Sequence, residues 1–258
     1  MRQYKHFVQP HRPRKNLLIA GIENVIAAMN DGVQLERIYV LSTALPGETA
    51  QLKAVAEQNG VPINKVPPEK LKSFNIENHR VCVAVRSKIH YQQLQDVISF
   101  VVEKGETPLL LILDGITDIR NIGGIARSAW CCGVQAIIIP EKGVGALHED
   151  AIAASAGALE QISICRVKSI TNAIDEMHLN GIKVFAGEMK ATTKIFDINF
   201  HEPCAIILGS EDKGIHPALY KMCDETFSIP MQNDFESLNV SVAAGMILYE
   251  AMKQRMAR

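Results

Sequence analysis

The stretch from Leu109 to Ile139 reads LLLILDGITDIRNIGGIARSAWCCGVQAIII, and its pattern decides the fold. Leu109 to Leu113 is an unbroken apolar run that closes on Asp114-Gly115, the mark of a strand buried on both faces. Ile122, Ile125, Ala126, Ala129 and Trp130 then recur at helical spacing, which predicts a helix from Asn121 to Cys132 with one face against a sheet. Ala136 to Ile139 is a second buried strand. Strand, helix and strand in this order imply a parallel sheet with helices on both faces.

The same grammar extends outward. Ile182 to Ala186 and Ala205 to Leu208 are further short apolar strands. Upstream, the chain from 17 to 86 alternates helical and strand patterns on a smaller scale, as a small α/β unit does. Ile22, Val25, Ile26 and Met29 mark a helix, and Ala50 to Gln58 marks another that ends at Asn59-Gly60. Ile38 to Leu41, Val61 to Val66 and Val81 to Val85 are its strands, and Pro67-Pro68-Glu69 opens a short helix. The polar segment between the two units, bounded by Gly105 and Pro108, reads as a linker. The organisation expected is therefore a basic arm at 1–16, a small domain at 17–90, a linker at 91–108 and an α/β domain at 109–258.

Composition narrows the function. With 258 residues, 47% hydrophobic and 21% charged, the chain can bury sizeable cores. No apolar run approaches the ~20 residues of a bilayer span, and no secretory h-region follows the N-terminus, so a cytoplasmic protein is expected. The six cysteines lie mostly inside apolar runs without a C-x-x-C pair, which reads as reduced core thiols and no metal site. Net charge is −1, so a polyanion must be met by local patches. The visible patch is the arm, where Arg2, Lys5, Arg12, Arg14 and Lys15 occur without an acid. It is either a solvated tail or a tracker of phosphates.

Three segments carry chemistry. In the first, Asp114 to Ala129, Asn121 is placed to cap the helix, and Arg127 projects about 140° away from the apolar stripe. In the second, AIILGSEDKG from Ala205 to Gly214, a buried strand ends in glycine where an open α/β sheet forms its ligand crevice. Glu211 and Asp212 speak against a phosphate cradle there, and the Lys-Ser/Thr of a P-loop is missing. In the third, IPMQNDFESLNVSVAA from Ile229 to Ala244, a strand end runs into a loop, and Ser237 is then placed to cap a long helix that reaches Arg255. Val240, Ala243, Ala244, Ile247, Leu248 and Ala251 crowd that helix, and its other side shows Val242, Met246 and Tyr249. One face meets the sheet and the other needs a partner, for which a second subunit is expected. Taken singly, each segment is also explained by caps, turns and a solvated arginine.

In this order and at this spacing, the three segments resemble the motifs of the SpoU family of RNA ribose 2'-O-methyltransferases, over about residues 109 to 255. The ILGSE and SLNVSVAAGMILYE stretches carry most of the likeness. Residues 17 to 86, through element order and the IAGIENVIAAM stretch, are similar to the ribosomal-protein-like RNA-binding domain that precedes the catalytic domain in the subgroup acting on 23S ribosomal RNA. The resemblance implies an α/β domain with a trefoil-knotted, mostly parallel sheet, a homodimer, and S-adenosyl-L-methionine bound in the knot. It implies catalytic roles for Asn121, Arg127, Glu211, Ser237 and Asn239. It places Leu208, Gly209, Ile229, Met231 and Leu238 around the adenosyl moiety. RNA is the implied partner, with neither a membrane nor a metal.

Three positions depart from the family pattern. Ile119 stands where proline is usual, Asn233 where glycine is usual, and Ala153 where lysine is frequent. Asn233 is expected to keep the loop by adopting positive φ. No departure removes a polar group assigned to chemistry. Arg127 is expected to anchor a target phosphate, since a guanidinium is a poor base, with Glu211 orienting it through a charge-assisted pair. That anchor is expected to hold the hydroxyl near Asn121, Ser237 or an ordered water, and the choice of base stays open. Two alternatives stand beside this reading: a transfer RNA 2'-O-methyltransferase, and a non-catalytic RNA-binding or assembly protein.

Overall fold

The computed structural model describes residues 17–76, 81–141, 147, 149–233 and 237–257. The basic arm at 1–16 lies outside the described residues. The chain divides into two compact units, Met1–Ser87 and Lys88–Arg258.

In the first unit the order is β1 (Leu18–Ala20), α1 (Ile22–Asn30), β2 (Leu35–Leu41), α2 (Ala50–Gln58), β3 (Ile63–Val66), α3 (Pro68–Lys72) and β4 (Cys82–Arg86). The strands form one sheet in the order β1-β4-β2-β3, with β2 and β3 parallel and the other pairs antiparallel. Alternation along β4 sends Cys82 and Ala84 to a cluster with Val25, Met29 and Leu52, and Val83 and Val85 to a cluster with Leu71 and Phe74. The sheet is thus covered on both faces.

The second unit begins with α4 (Leu94–Glu103), followed by β5 (Leu109–Asp114), α5 (Ile119–Cys131), β6 (Ala136–Pro140), α6 (Glu149–Ala154) and β7 (Ser163–Val167). It continues with α7 (Ile170–Leu179), β8 (Lys183–Gly187), β9 (Cys204–Gly209), α8 (Pro217–Tyr220), β10 (Glu225–Phe227) and α9 (Val240–Met256). Six strands form a sheet in the order β10-β8-β9-β5-β6-β7, and every pair is parallel. Central β5 explains its own sequence. Leu109, Leu111 and Leu113 pack on one face with Ile125, Ile206 and Leu248, while Leu110 and Ile112 pack on the other with Ile98, Ile138 and Ile174. A strand buried on both sides has no reason to alternate, hence the continuous run.

The segment read as a linker contains α4. Leu94, Val97, Ile98 and Val101 recur at i, i+3, i+4 and i+7 and are buried in the second sheet's core, so this helix belongs to the second unit. β1 and β7 were not foreseen, and of β10 only a strand end near Ile229 was. β1 and β10 have three residues each, and β7 is an edge strand carrying Ser163 and Arg166.

Helices α5 and α9 run side by side in the same direction. A β-carbon added at Gly124 would lie 3.2 Å from Cβ of Ser241, and one at Gly245 would lie 3.6 Å from Oγ of Ser128. Gly123 faces the end of α6, where an added β-carbon would lie 2.9 Å from the Ala154 carbonyl carbon. Glycine at 123 and 124 therefore lets α5 approach two neighbours at once. At the far end of α9, Arg255 donates to the carbonyls of Phe200, Thr107 and Pro108, which fixes the last turn against the starts of β5 and β9. No helix among the described residues is long and apolar enough to cross a membrane.

Candidate active site

The carboxyl ends of β8, β9 and β10 open onto a cavity of about 820 Å³, counting its mouth. Its walls are mostly apolar, with Leu208, Phe227, Ile229, Val240 and Ile247 among them. Phe227 is held from behind by Phe200, edge to face at 6.0 Å, and Phe200 in turn by Phe185 at 5.8 Å. Leu208, Gly209, Ile229, Met231 and Leu238, expected around an adenosyl group, all line this cavity.

Gly209 closes β9 and has a steric reason to be glycine. An added β-carbon would sit 2.1 Å from the backbone carbon of Gly214, because the loop folds straight back on the strand end. Gly214 donates its N–H to the Ser210 carbonyl at 2.8 Å and adopts φ +64°. The tight loop delivers Glu211 to the cavity rim.

Glu211 is the centre of a polar cluster. Its Oε1 accepts from Asn239 Nδ2 at 2.6 Å, from the Val240 N–H at 3.1 Å and, more weakly, from Asn121 Nδ2 at 3.4 Å. Asn239 also donates to Asn121 Oδ1 at 3.1 Å. The carboxylate thus sits at the N-terminus of α9, where the helix dipole favours it. Asn239 is the N-cap of α9, its Oδ1 accepting from the Ser241 N–H at 3.0 Å. Both ends of its amide are engaged within the chain.

Several expectations are corrected here. Ser237 does not cap the long helix, which begins three residues later at Val240; Ser237 lines the cavity instead. Asn121 does not cap α5. Asp118 does, accepting from the Arg120 N–H, and a carboxylate one turn earlier leaves the Asn121 amide to reach Glu211. The Arg120 guanidinium beside Asp118 holds that carboxyl below its usual range. Glu211 does not pair with Arg127. Arg127 is exposed on α5 and makes no ion pair or hydrogen bond among the described residues. Trp130, counted on the buried stripe, is 49% exposed. Asn233 does not use positive φ, which among described non-glycines belongs to Asn75 and Ala156. Ile119 is the first residue of α5, a position that accepts proline equally well, and it packs against the core. Of the cysteines, Cys82, Cys165 and Cys204 are buried, whereas Cys131 is exposed and Cys132 and Cys223 are half-buried.

A second hollow adjoins the first. Asp114, Thr117, Asn121, Lys213 and His216 line it, and it shares Ser210, Glu211, Gly214 and Val240 with the apolar cavity. The His216 N–H donates to Asp114 Oδ2 at 2.7 Å, which ties the loop after β9 to the end of β5. No sequence signal announced this wall, because Asp114 and His216 are 102 residues apart.

The donor set constrains the ligand. Among the described residues, the ionisable side chains lining the apolar cavity are two carboxylates, Glu188 and Glu211, which suit a ligand carrying positive charge and repel a phosphate. No group of three or more His, Cys, Asp or Glu among the described residues is arranged to hold a metal ion.

An all-parallel sheet with an apolar, acid-rimmed cavity at its carboxyl edge and a polar second hollow beside it defines an α/β protein with its candidate ligand site at the strand ends. The chain belongs to the SpoU rRNA Methylase family, whose model matches residues 108–249. Over 237 residues it is 31% identical to YacO of Bacillus subtilis, placed in the TrmH family of tRNA/rRNA methyltransferases, covering 92% of this chain and 95% of that protein. It is 30% identical over 245 residues to the 23S rRNA (guanosine-2'-O-)-methyltransferase RlmB of Xylella fastidiosa, covering 94% and 98% of the two chains. Among solved structures, an RNA 2'-O ribose methyltransferase matches with a TM-score of 0.55 and 26% identity over 93% of this chain and 88% of that one. An AdoMet-bound rRNA methyltransferase from Sinorhizobium meliloti shares the fold at a TM-score of 0.58 and 21% identity, over 92% and 87% of the two chains.

Proposed function

We propose that this chain transfers a methyl group from S-adenosyl-L-methionine to a ribose 2'-OH of RNA, with 23S ribosomal RNA as the substrate. The observation that carries the reading is that Glu211 borders both hollows, one apolar and fit for a cationic cofactor, the other polar and open. The relative named for a 23S rRNA guanosine 2'-O-methyltransferase spans nearly the whole of this chain, which favours ribosomal RNA. Relatives named for both tRNA and rRNA keep transfer RNA as the second substrate class.

Leu208, Gly209, Ile229, Met231 and Leu238 would hold the adenosyl moiety. When bound, S-adenosyl-L-methionine supplies an electrophilic methyl on a sulfonium leaving group, so the reaction calls for no metal. The chain's task is to align the hydroxyl and take its proton. Arg127, exposed and unpaired among the described residues, holds the phosphate beside the target ribose. Asn239, with its amide spent on Glu211, Asn121 and the α9 cap, is a positioning residue. No described residue donates to Oε2 of Glu211, and this oxygen accepts the proton as the 2'-oxygen attacks. Ser237 and Asn121 flank the incoming ribose. RNA is selected over DNA because the 2'-OH is itself the nucleophile.

We read the SpoU domain as trefoil-knotted and homodimeric, and the first unit as a recruiter of RNA. The basic arm and Lys65, Lys70 and Lys72, on β3 and α3, supply local positive charge for that role. Mapping 2'-O-methyl positions in total RNA from cells with and without the gene tests the function. One lost ribose methylation in 23S rRNA is expected. A loss confined to transfer RNA would move the substrate, and no loss anywhere would favour a non-catalytic RNA-binding protein.

A further inference from the structure

Among the described residues, the apolar cavity contains one carboxylate that this reading of the reaction does not use. Glu188 follows Gly187 at the carboxyl end of β8 and is half-buried at the cavity wall. Its main chain is fixed, since its N–H donates to the Phe227 carbonyl at 2.8 Å and Gly187 is in register with Phe227. Its side chain is not. The contact from the Lys190 N–H to Oε1 is 3.5 Å, at the outer limit of a hydrogen bond, and Oε2 has no donor among the described residues.

Sheet order then says what Glu188 faces. Along the carboxyl edge the strands run β10, β8, β9, β5. Glu211 follows β9, and Asn121 lies beyond β5 at the start of α5. Glu188 is displaced from Glu211 in the opposite direction, by about one strand spacing of ~4.8 Å. A cofactor whose methyl points to the Glu211 and Asn121 side presents its nucleoside to β8 and β10. In S-adenosyl-L-methionine the ribose follows the sulfur after one methylene, so its vicinal diol arrives at Glu188. Two neighbouring O–H donors match two carboxylate oxygens. An acidic residue meets ribose hydroxyls in the same way at the strand ends of dinucleotide-binding sheets.

Resting on the cofactor reading above, we propose that Glu188 binds the 2'- and 3'-hydroxyls of the cofactor's ribose and so sets selectivity for a ribonucleoside cofactor.

The test is calorimetric titration of the full-length protein and its Glu188→Gln variant with S-adenosylmethionine, S-adenosylhomocysteine and the 2',3'-dideoxy analogue of S-adenosylhomocysteine. Charge-assisted hydrogen bonds of this kind predict about a 10-fold or larger loss on Glu188→Gln, equal for the first two ligands. The unmodified protein should bind the dideoxy analogue about 10-fold or more weakly than S-adenosylhomocysteine, and the variant should bind that analogue as the unmodified protein does. The analogue comparison on the unmodified protein needs no variant to fold. Equal affinity for the diol and dideoxy ligands would overturn the proposal. A loss on Glu188→Gln much larger for S-adenosylmethionine than for S-adenosylhomocysteine would also overturn it, because the carboxylate would then answer to the sulfonium charge. If the unmodified protein bound neither natural ligand, the cofactor reading itself would fall.

Discussion

Asn239 donates its side-chain amide to Oε1 of Glu211 at 2.6 Å, joining the residue that caps α9 to the loop that closes β9. The two residues are 28 positions apart, and the same carboxylate oxygen also accepts the first N–H of the helix, from Val240. One oxygen therefore holds the start of α9 in place, and the other accepts from no described residue.

This division of labour separates two substitutions. Glu211→Gln keeps an acceptor for Asn239 and Val240 while removing the proposed base, so turnover should fall by at least ~100-fold with cofactor binding and melting temperature nearly unchanged. Glu211→Ala removes the acceptor as well and should further cost about 1 kcal/mol, or a melting temperature lower by roughly 2–4 °C. Single-turnover kinetics and thermal melts distinguish them. Full activity in Glu211→Gln would remove Glu211 as the proton acceptor.

Arg127 makes no contact that folding depends on among the described residues, and its side chain is exposed. Arg127→Ala should leave stability and cofactor affinity within a factor of about two and lower turnover by ~100-fold or more, as expected when a positioning contact to the substrate is lost. A parallel collapse of cofactor binding would make Arg127 a structural residue.

Val242, Met246 and Tyr249 recur at i, i+4 and i+7 on α9 and are 48%, 46% and 58% exposed in the single chain. Neighbouring α5 adds Trp130, so the apolar surface spans two helices. Light scattering at low micromolar concentration should return twice the mass of one chain. A monomer mass would contradict the dimer.

Burial pushes several thiols up, Cys82, Cys204 and Cys223 to about 11 and Cys165 to about 12. An unfolded thiol ionises near 8.5, so the stability these groups lend is whole below that pH and is lost as pH rises toward 11 to 12. The urea midpoint should therefore be lower at pH 10 than at pH 8. At pH 8 an alkylating reagent should modify exposed Cys131 first and spare the three buried cysteines until the protein unfolds, a sequence that mass spectrometry reads directly.

The sheet was legible where burial is complete. Leu109 to Leu113 and Ala136 to Ile139 announce strands because neither face meets water, and each proved a strand one residue longer, as β5 and β6. Ser163–Val167 was not legible, and of Glu225–Phe227 only the exit toward Ile229 was, since both are edge strands and polar residues there carry no penalty. At the site, the residue types were readable and their partnerships were not. Nothing local indicates that Asp118 rather than Asn121 caps α5, or that Glu211 reaches Asn239 instead of Arg127. Those choices depend on which loops the sheet order brings together, and β9 beside β5 is a pairing across 95 residues, from Leu109 to Cys204.

The central claim is methyl transfer to a ribose hydroxyl, and the most direct measurement follows the methyl. Purified protein, methyl-labelled S-adenosylmethionine and 23S rRNA transcript are incubated, beside a transcript in which the modified nucleotide is replaced by its 2'-deoxy counterpart. Nucleoside mass spectrometry should find the label as a 2'-O-methyl ribose in the first RNA and none in the second. Label on a base, or equal transfer to the deoxy-substituted RNA, would contradict the account.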